Sequence, residues 1–391
     1  MAAAGDFDSW RVVLDYYLNM REYLEPRTQL YWNHTGMWTT ETQHLTGAYS
    51  MSDYGCSRPA DYPVQYESSG WIHIDQGGDS GTGEYSLMAL DYYAATGDGT
   101  YLPIAFSAAD YFAQHYIANV TNGKVSVFPT QVLESWWCEW DAASSSWTPC
   151  CADDSPSISG MMTLFEKVLA LPPALVPAGS RATWASFLPM IPDLPLEADG
   201  TIALARVNQN DGDHNNEGPE LYAMHPHRVF TMGRHVATGA NISIGVNTHV
   251  KSSFAKENSG WNYGLNSAAL LGLTDIVVPQ VLARAATAPA AGYRFPGFAP
   301  HMQDYQPSAD HFANYNRALL EMLVQTGDDG FMNATIVLFP AWPCAWDVSA
   351  KLWAPGNTTV EIDYSHGALQ SLVVTPTSRT AAVKWAACVA Q

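Results

Sequence analysis

Residues 84–117 read "EYSLMALDYYAATGDGTYLPIAFSAADYFAQHYI", and the architecture turns on this stretch. Its first half spaces apolar side chains along one helix face and stops at Gly97, a residue suited to the left-handed turn that ends helices. Its second half starts a new helix almost at once, so the pair is expected to form an antiparallel helical hairpin. Upstream, "WRVVLDYYLNMREYL" puts apolar residues at 10, 13, 14 and 17, again one helix face. Downstream, "SISGMMTLFEKVLALPP" opens on serines suited to capping and is closed by two prolines. "SRATWASFLPMI", "ELYAMHPHRVFTMG", "GLNSAALLGL", "VVPQVLARAAT" and "ADHFANYNRALLEMLVQTG" extend the helical series, with loops rich in Gly, Pro, Asn and Asp between them. No fixed period recurs, which argues against a regular solenoid. The expected fold is mainly α: an α/α toroid of the (α/α)6 barrel type over residues 1–328, incomplete at its N-terminus, with its long loops gathered at one end.

After Gly330 the texture changes. "NATIVLFPAW", "WDVSAKLWA", "TTVEIDYSHGALQSLVVTP" and "TAAVKWAACVA" are short runs rich in Val, Ile, Thr and aromatic residues. "SHG" between two alternating runs reads as a hairpin turn. Residues 329–391 are therefore expected to form a small antiparallel β-domain of sandwich-like character.

Composition narrows the partners. The 391 residues are 47% hydrophobic and 14% charged, a composition that buries a core. Eighteen Lys and Arg against 38 Asp and Glu leave a net charge of −20, which repels phosphate backbones and anionic lipid. Nucleic acid and membrane are excluded as expected partners. A neutral sugar meets no such repulsion, and the 14 Trp and 20 Tyr offer rings for its C–H faces; a large core uses aromatic residues equally well.

Five Asn-x-Ser/Thr sequons, at Asn33, Asn119, Asn241, Asn333 and Asn357, point to a glycosylated, secreted protein. The six cysteines (56, 138, 150, 151, 344 and 388) form no zinc-type CxxC pairs. Cys138 and the Cys150–Cys151 pair bracket a short polar loop that a disulfide would staple. "MAAAGDFDSW" has no apolar signal core, and no apolar run reaches the roughly 18 residues of a membrane span. We expect a secreted protein whose signal peptide, with further N-terminal sequence, precedes this chain.

One acid stands out: Glu134, in "VFPTQVLESWWCEW", is set against Trp136, Trp137 and Trp140. A carboxyl desolvated among tryptophans has a raised pKa, the property a general acid needs. Set beside it, "SADHFANYNRALLEMLVQTGDDGFMNATIVLFPAWPCAW" resembles family 95 glycoside hydrolases, the α-L-fucosidase group. In that family an Asp-bearing loop enters a helix of the "EMLLQS" type, and a strand then ends in Leu-Pro-Ala-x-Pro; here "EMLVQT" and "LFPAWP" stand in those places. "PTQVLE" keeps the Pro-to-Glu spacing of the family's acid segment, and the helix-"TGD"-helix of residues 84–117 resembles the segment preceding that acid.

The resemblance implies an inverting glycosidase without metal or cofactor. Glu134 would be its general acid and Asp310 its general base, facing one another roughly 6.5–9.5 Å apart to admit a water. Trp136, Trp137, Glu217, Glu220 and His311 are the expected sugar-binding residues. Glu217 and Glu220, in "NNEGPELYAMHPHRVF", stand where the family has a His-rich sugar-binding segment, and His225, His227 and Arg228 follow them. The family's water-holding Asn pair has no counterpart here, and Asn215 and Asn216 do not take that place. Bland roles compete at each position: Asp310 suits a helix cap, and Glu217 and Glu220 suit a loop-to-helix start. The alternative reading is a non-catalytic extracellular glycan-binding or structural protein on the same fold. A polysaccharide lyase is disfavoured, since neutralising a uronate needs more basic residues than this chain has.

Overall fold

A computed structural model describes residues 2–39, 82–118, 120–128, 130, 132, 140–141, 143–144, 146–147, 151–207, 218–256, 262–286 and 309–388. The chain is mainly α-helical, with small sheets concentrated towards the C-terminus. It divides into two compact units, one formed by Asp8–Tyr93 and Asp98–Asn215, the other by Met1–Phe7, Ala94–Gly97 and Asn216–Gln391.

Among the described residues, the first unit carries α1 (Phe7–Trp32), α2 (Thr82–Thr96), α3 (Leu102–His115), α4 (Ser155–Ala170) and α5 (Ser180–Phe187). In the first unit α1 buries Trp10, Leu14, Tyr17 and Leu24, one stripe at helical spacing. Helix α3 is the centre of this unit. Its ten buried residues run from Leu102 to Ala113 and include four alanines, so neighbouring helices can approach it from several sides. Two of them do: α4 and α5 both pack on α3, with Trp184 of α5 tilted against Phe106 at 5.6 Å, and α5 also meets α4, Phe187 lying 4.9 Å from Phe165. At the turn between α2 and α3, Tyr92 meets Tyr101 edge-on at 5.1 Å.

The cap of α4 corrects the reading of its serines. Asp154, not a serine, is the N-cap, accepting from the Ser157 backbone N–H at 2.8 Å. Leu171 and two prolines end the helix as expected. Short strands surround these helices in three pairs: β1 (Val120–Thr121) with β2 (Lys124–Val125), β3 (Trp140–Asp141) with β4 (Ser146–Trp147), and β5 (Ala152–Asp154) with β6 (Ala205–Val207).

The second unit carries α6 (Met232–Thr238), α7 (Ser243–Lys251), α8 (Gly264–Leu270), α9 (Thr274–Ala286) and α10 (Ala309–Leu323). Strands β7 (Val324–Thr326), β8 (Ile336–Leu338), β9 (Val348–Ala354), β10 (Thr358–Ser365), β11 (Ala368–Thr375) and β12 (Val383–Trp385) follow. They form two sheets of three, in the orders β11-β10-β9 and β12-β8-β7. The first sheet is antiparallel; in the second, β12 runs parallel to β8. The "SHG" turn is where the sequence puts it: His366 and Gly367 both take positive φ, 53° and 74°, and join β10 to β11. Strand β10 alternates strictly, burying Thr358, Val360, Ile362 and Tyr364.

The expected boundary at 328/329 falls inside this unit. Leu265 and Ala268 of α8, Val277 of α9 and Met322 of α10 share one apolar core with Ile336, Leu338, Leu352, Val360 and Ile362 of the strands. Ala94 and Ala95, in the last turn of α2, offer their carbonyls to the backbone N–H groups of Gly356 and Asn357, which satisfies a helix end that would otherwise lack partners. A disulfide joins Cys344 to Cys388, and the Tyr364 hydroxyl donates to the Cys344 carbonyl at 3.0 Å.

One stretch expected to be helical is not. Residues 219–231 form a 3-10 turn at Pro219–Leu221 and then irregular turns up to α6. Pro226 explains the break, because it lacks the N–H that would continue the hydrogen-bond ladder.

Candidate functional site

Helix α10 is strongly two-faced. It buries Ala318, Met322 and Leu323 in the core, while positions 310, 314, 317 and 321 are Asp, Asn, Arg and Glu. Steps of four, three and four put these positions on one line along the helix. Asp310 thus lies in the first turn of α10, one turn before Asn314 and two before Arg317. His311 is the next residue.

The middle of this line meets α8 and the turn after Pro219. The Asn266 side-chain amide donates to the Asn314 carbonyl at 3.2 Å, with Asn266 wholly buried. Arg317 reaches Glu321 at 3.4 Å and stays 39% exposed at its side chain. The His225 ring stands edge-on to Tyr263 at 4.6 Å, and Tyr263 in turn contacts Tyr222 at 5.1 Å. Burial, then the Arg317 charge and His227, push the His225 pKa well below the ordinary histidine value, so this imidazole is neutral. Several buried polar atoms here find no hydrogen-bond partner among the described residues: His225 Nδ1, Asn266 Oδ1 and Ser267 Oγ. Leaving such atoms unsatisfied costs about 1–3 kcal/mol each, so they mark a place where water or a ligand supplies the missing bonds.

Glu220 is also in this unit, 7% exposed, and its Oε1 accepts from the Ser252 hydroxyl at 2.5 Å. It therefore sits as a buried, hydrogen-bonded acid at the 3-10 turn. His227 is buried as well, its ring 5.9 Å from Tyr222, whereas Arg228 is only part-buried. Tyr263, Asn266, Asn314 and Arg317 were not singled out from the sequence. The spacing of Asn314 and Arg317 from Asp310 carried a usable signal; Asn266 carried none.

Glu134, Trp136, Trp137 and Glu217 lie outside the described residues, as do Cys56, Cys138 and Cys150. The approach to Glu134 is described up to Val132. Thr130 is fully buried, bridges Cys151 through paired backbone bonds at 3.1 Å, and donates its hydroxyl to Asp154 Oδ2 at 2.7 Å. Burial pushes the Asp154 carboxyl up to about 6, against the lowering effect of the Ser157 and Thr130 bonds. So the chain is pinned four residues before Glu134. Cys151 itself is buried. Among the described residues the disulfide is Cys344–Cys388, a pairing that spacing did not suggest.

Of the sequon asparagines, Asn33, Asn241, Asn333 and Asn357 are exposed, while Asn119 lies outside the described residues. No His, Cys, Asp or Glu cluster with metal-holding geometry occurs among the described residues, and none of their helices is long and apolar enough to cross a membrane. No known protein-family model matches the chain, and no curated protein sequence matches it.

Proposed function

We propose that this chain is a secreted, inverting glycoside hydrolase acting on a neutral glycan, built as an α/α toroid with a C-terminal β-region. Asp310 is the general base and Glu134 the general acid. The observation that carries the reading is the polar line of α10. Asp310 shares it with Asn314 and Arg317, and beside it stand a neutral imidazole, His225, and Tyr263, with buried atoms on His225 and Asn266 that no described residue satisfies. A hydroxyl-rich, uncharged ligand is the chemistry that such neutral donors and acceptors serve. Position 310 in the first turn of a helix favours an ionised carboxylate, the state a base requires. The exposed sequon asparagines agree with passage through a secretory route. The test is sugar release from a panel of neutral oligosaccharides by the purified chain, with Glu134→Gln in parallel. Release by the wild type that the variant loses supports the assignment. Binding of an oligosaccharide without release would replace it by the glycan-binding reading.

A further inference from the structure

An open cavity of about 530 Å³ lies wholly within the first unit, between α1 and α3. These helices run side by side in the same direction: Tyr101 donates to Asp15 at 2.7 Å, and further along Ser107 donates to Glu25 at 2.7 Å. The cavity's polar lining includes Arg21, Glu25, Ser107 and Asp110, beside the uncharged Gln29 and Thr35, and its apolar wall is Pro103, Phe106 and Pro177.

The two carboxylates in this lining are treated differently. Glu25 Oε1 accepts from Arg21 Nε at 2.9 Å, from Arg21 Nη2 at 2.8 Å and from Ser107, so its charge is met by the guanidinium. Among the described residues, Asp110 receives only the indole N–H of Trp184, on Oδ1 at 2.8 Å. No cation among them approaches it, and the charged group that acts on it is Glu25, a like charge. The lining therefore holds one positive and two negative charges, with the excess on Asp110.

We propose that this cavity binds a small organic cation, an ammonium group on an apolar frame, with Asp110 as its counter-ion. The second oxygen of Asp110 has no donor among the described residues and accepts the ammonium N–H, while Pro103, Phe106 and Pro177 cover the frame. Burial and Glu25 both raise the Asp110 pKa, a cost that a bound cation relieves. An anion is disfavoured, because Arg21 is already committed to Glu25 and both acids repel it. The net charge of −20 further raises the local concentration of cations. The inference stands apart from the glycosidase reading and does not depend on it.

The probe is cyclohexylammonium, with cyclohexanol as its uncharged counterpart, titrated calorimetrically into the whole chain. Cyclohexylammonium should bind at least about 10-fold more tightly than cyclohexanol, as a charge-assisted bond implies. Asp110→Asn keeps an oxygen for Trp184 and should keep the melting temperature, yet should weaken binding by about 10–100-fold. Arg21→Gln removes the competing cation and should tighten it. Equal binding of the two probes, no binding of either, an Asp110→Asn variant that binds as the wild type does, or an Arg21→Gln variant that binds more weakly would each overturn the proposal.

Discussion

His249 lies on α7, 2% exposed, with its Nδ1 lacking a hydrogen-bond partner among the described residues. Burial alone lowers its pKa from 6.5 to about 4. The unfolded chain takes up a proton near 6.5 and the folded chain does not until about 4, so the unfolded state binds more protons in between. Stability that is fully present above pH 6.5 is therefore lost progressively as the pH falls towards 4. At pH 5 the loss from this one group is RT ln[(1 + 10^1.5)/(1 + 10^−1)], about 2 kcal/mol. His249→Gln removes the titration. Hydrogen exchange of the slowest α8 amides reports the opening free energy of the second unit. Between pH 7.5 and 5.0 that free energy should fall by about 2 kcal/mol more in the wild type than in His249→Gln. Other groups shift with pH too; His225, also in this unit, is lowered by burial in the same sense. They are common to both proteins and drop out of the difference. Equal falls in the two proteins would refute the argument that burial keeps His249 neutral.

Three further outcomes follow from the same structure. Cys344→Ser opens a disulfide that closes a sequence separation of 44 residues, and chain entropy puts the loss at about 4 kcal/mol, read by urea denaturation of the non-reduced proteins. Asp154→Ala removes the α4 cap and strands the Thr130 hydroxyl; the relieved burial of the carboxylate offsets part of this, leaving a loss of about 2 kcal/mol in thermal unfolding at pH 7. Expressed through a eukaryotic secretory route, the chain should carry glycans at Asn33, Asn241, Asn333 and Asn357 in peptide mapping, and peptides found wholly unmodified would remove the case for secretion.

Much of the fold was legible because burial writes a period into the sequence. The stripes of α1 and the alternation of β10 are each a direct image of what those elements cover. Legibility failed where a local rule overrode the pattern. The segment before α6 has helical spacing, but Pro226 cannot sustain the hydrogen-bond ladder. Helix α7, "SIGVNTHVK", was missed because β-branched residues and few apolar ones hide its face. At α4 the serines of the first turn resemble caps, and the Asp154 side chain just before them does the capping. The candidate site was legible only as single residues. Asp310 stood out, whereas its companions Asn314 and Arg317 depend on helical register, and Asn266, 48 positions from Asn314, meets it through packing of α8 on α10 that no local pattern encodes. The Cys344–Cys388 bond is likewise a product of the strands that bring its ends together.

The proposed acid–base chemistry of Asp310 and Glu134 on a glycosidic bond is tested most directly by the initial rate and anomeric form of the sugar released from neutral oligosaccharides, followed by NMR, for the wild type, Asp310→Asn and Glu134→Gln. The wild type should release sugar with inverted anomeric configuration, and each substitution should lower the rate by about 10²–10⁴-fold while leaving the unfolding transition in place. Wild-type rates in both variants, or a wild type that releases no sugar from any member of the panel, would contradict it.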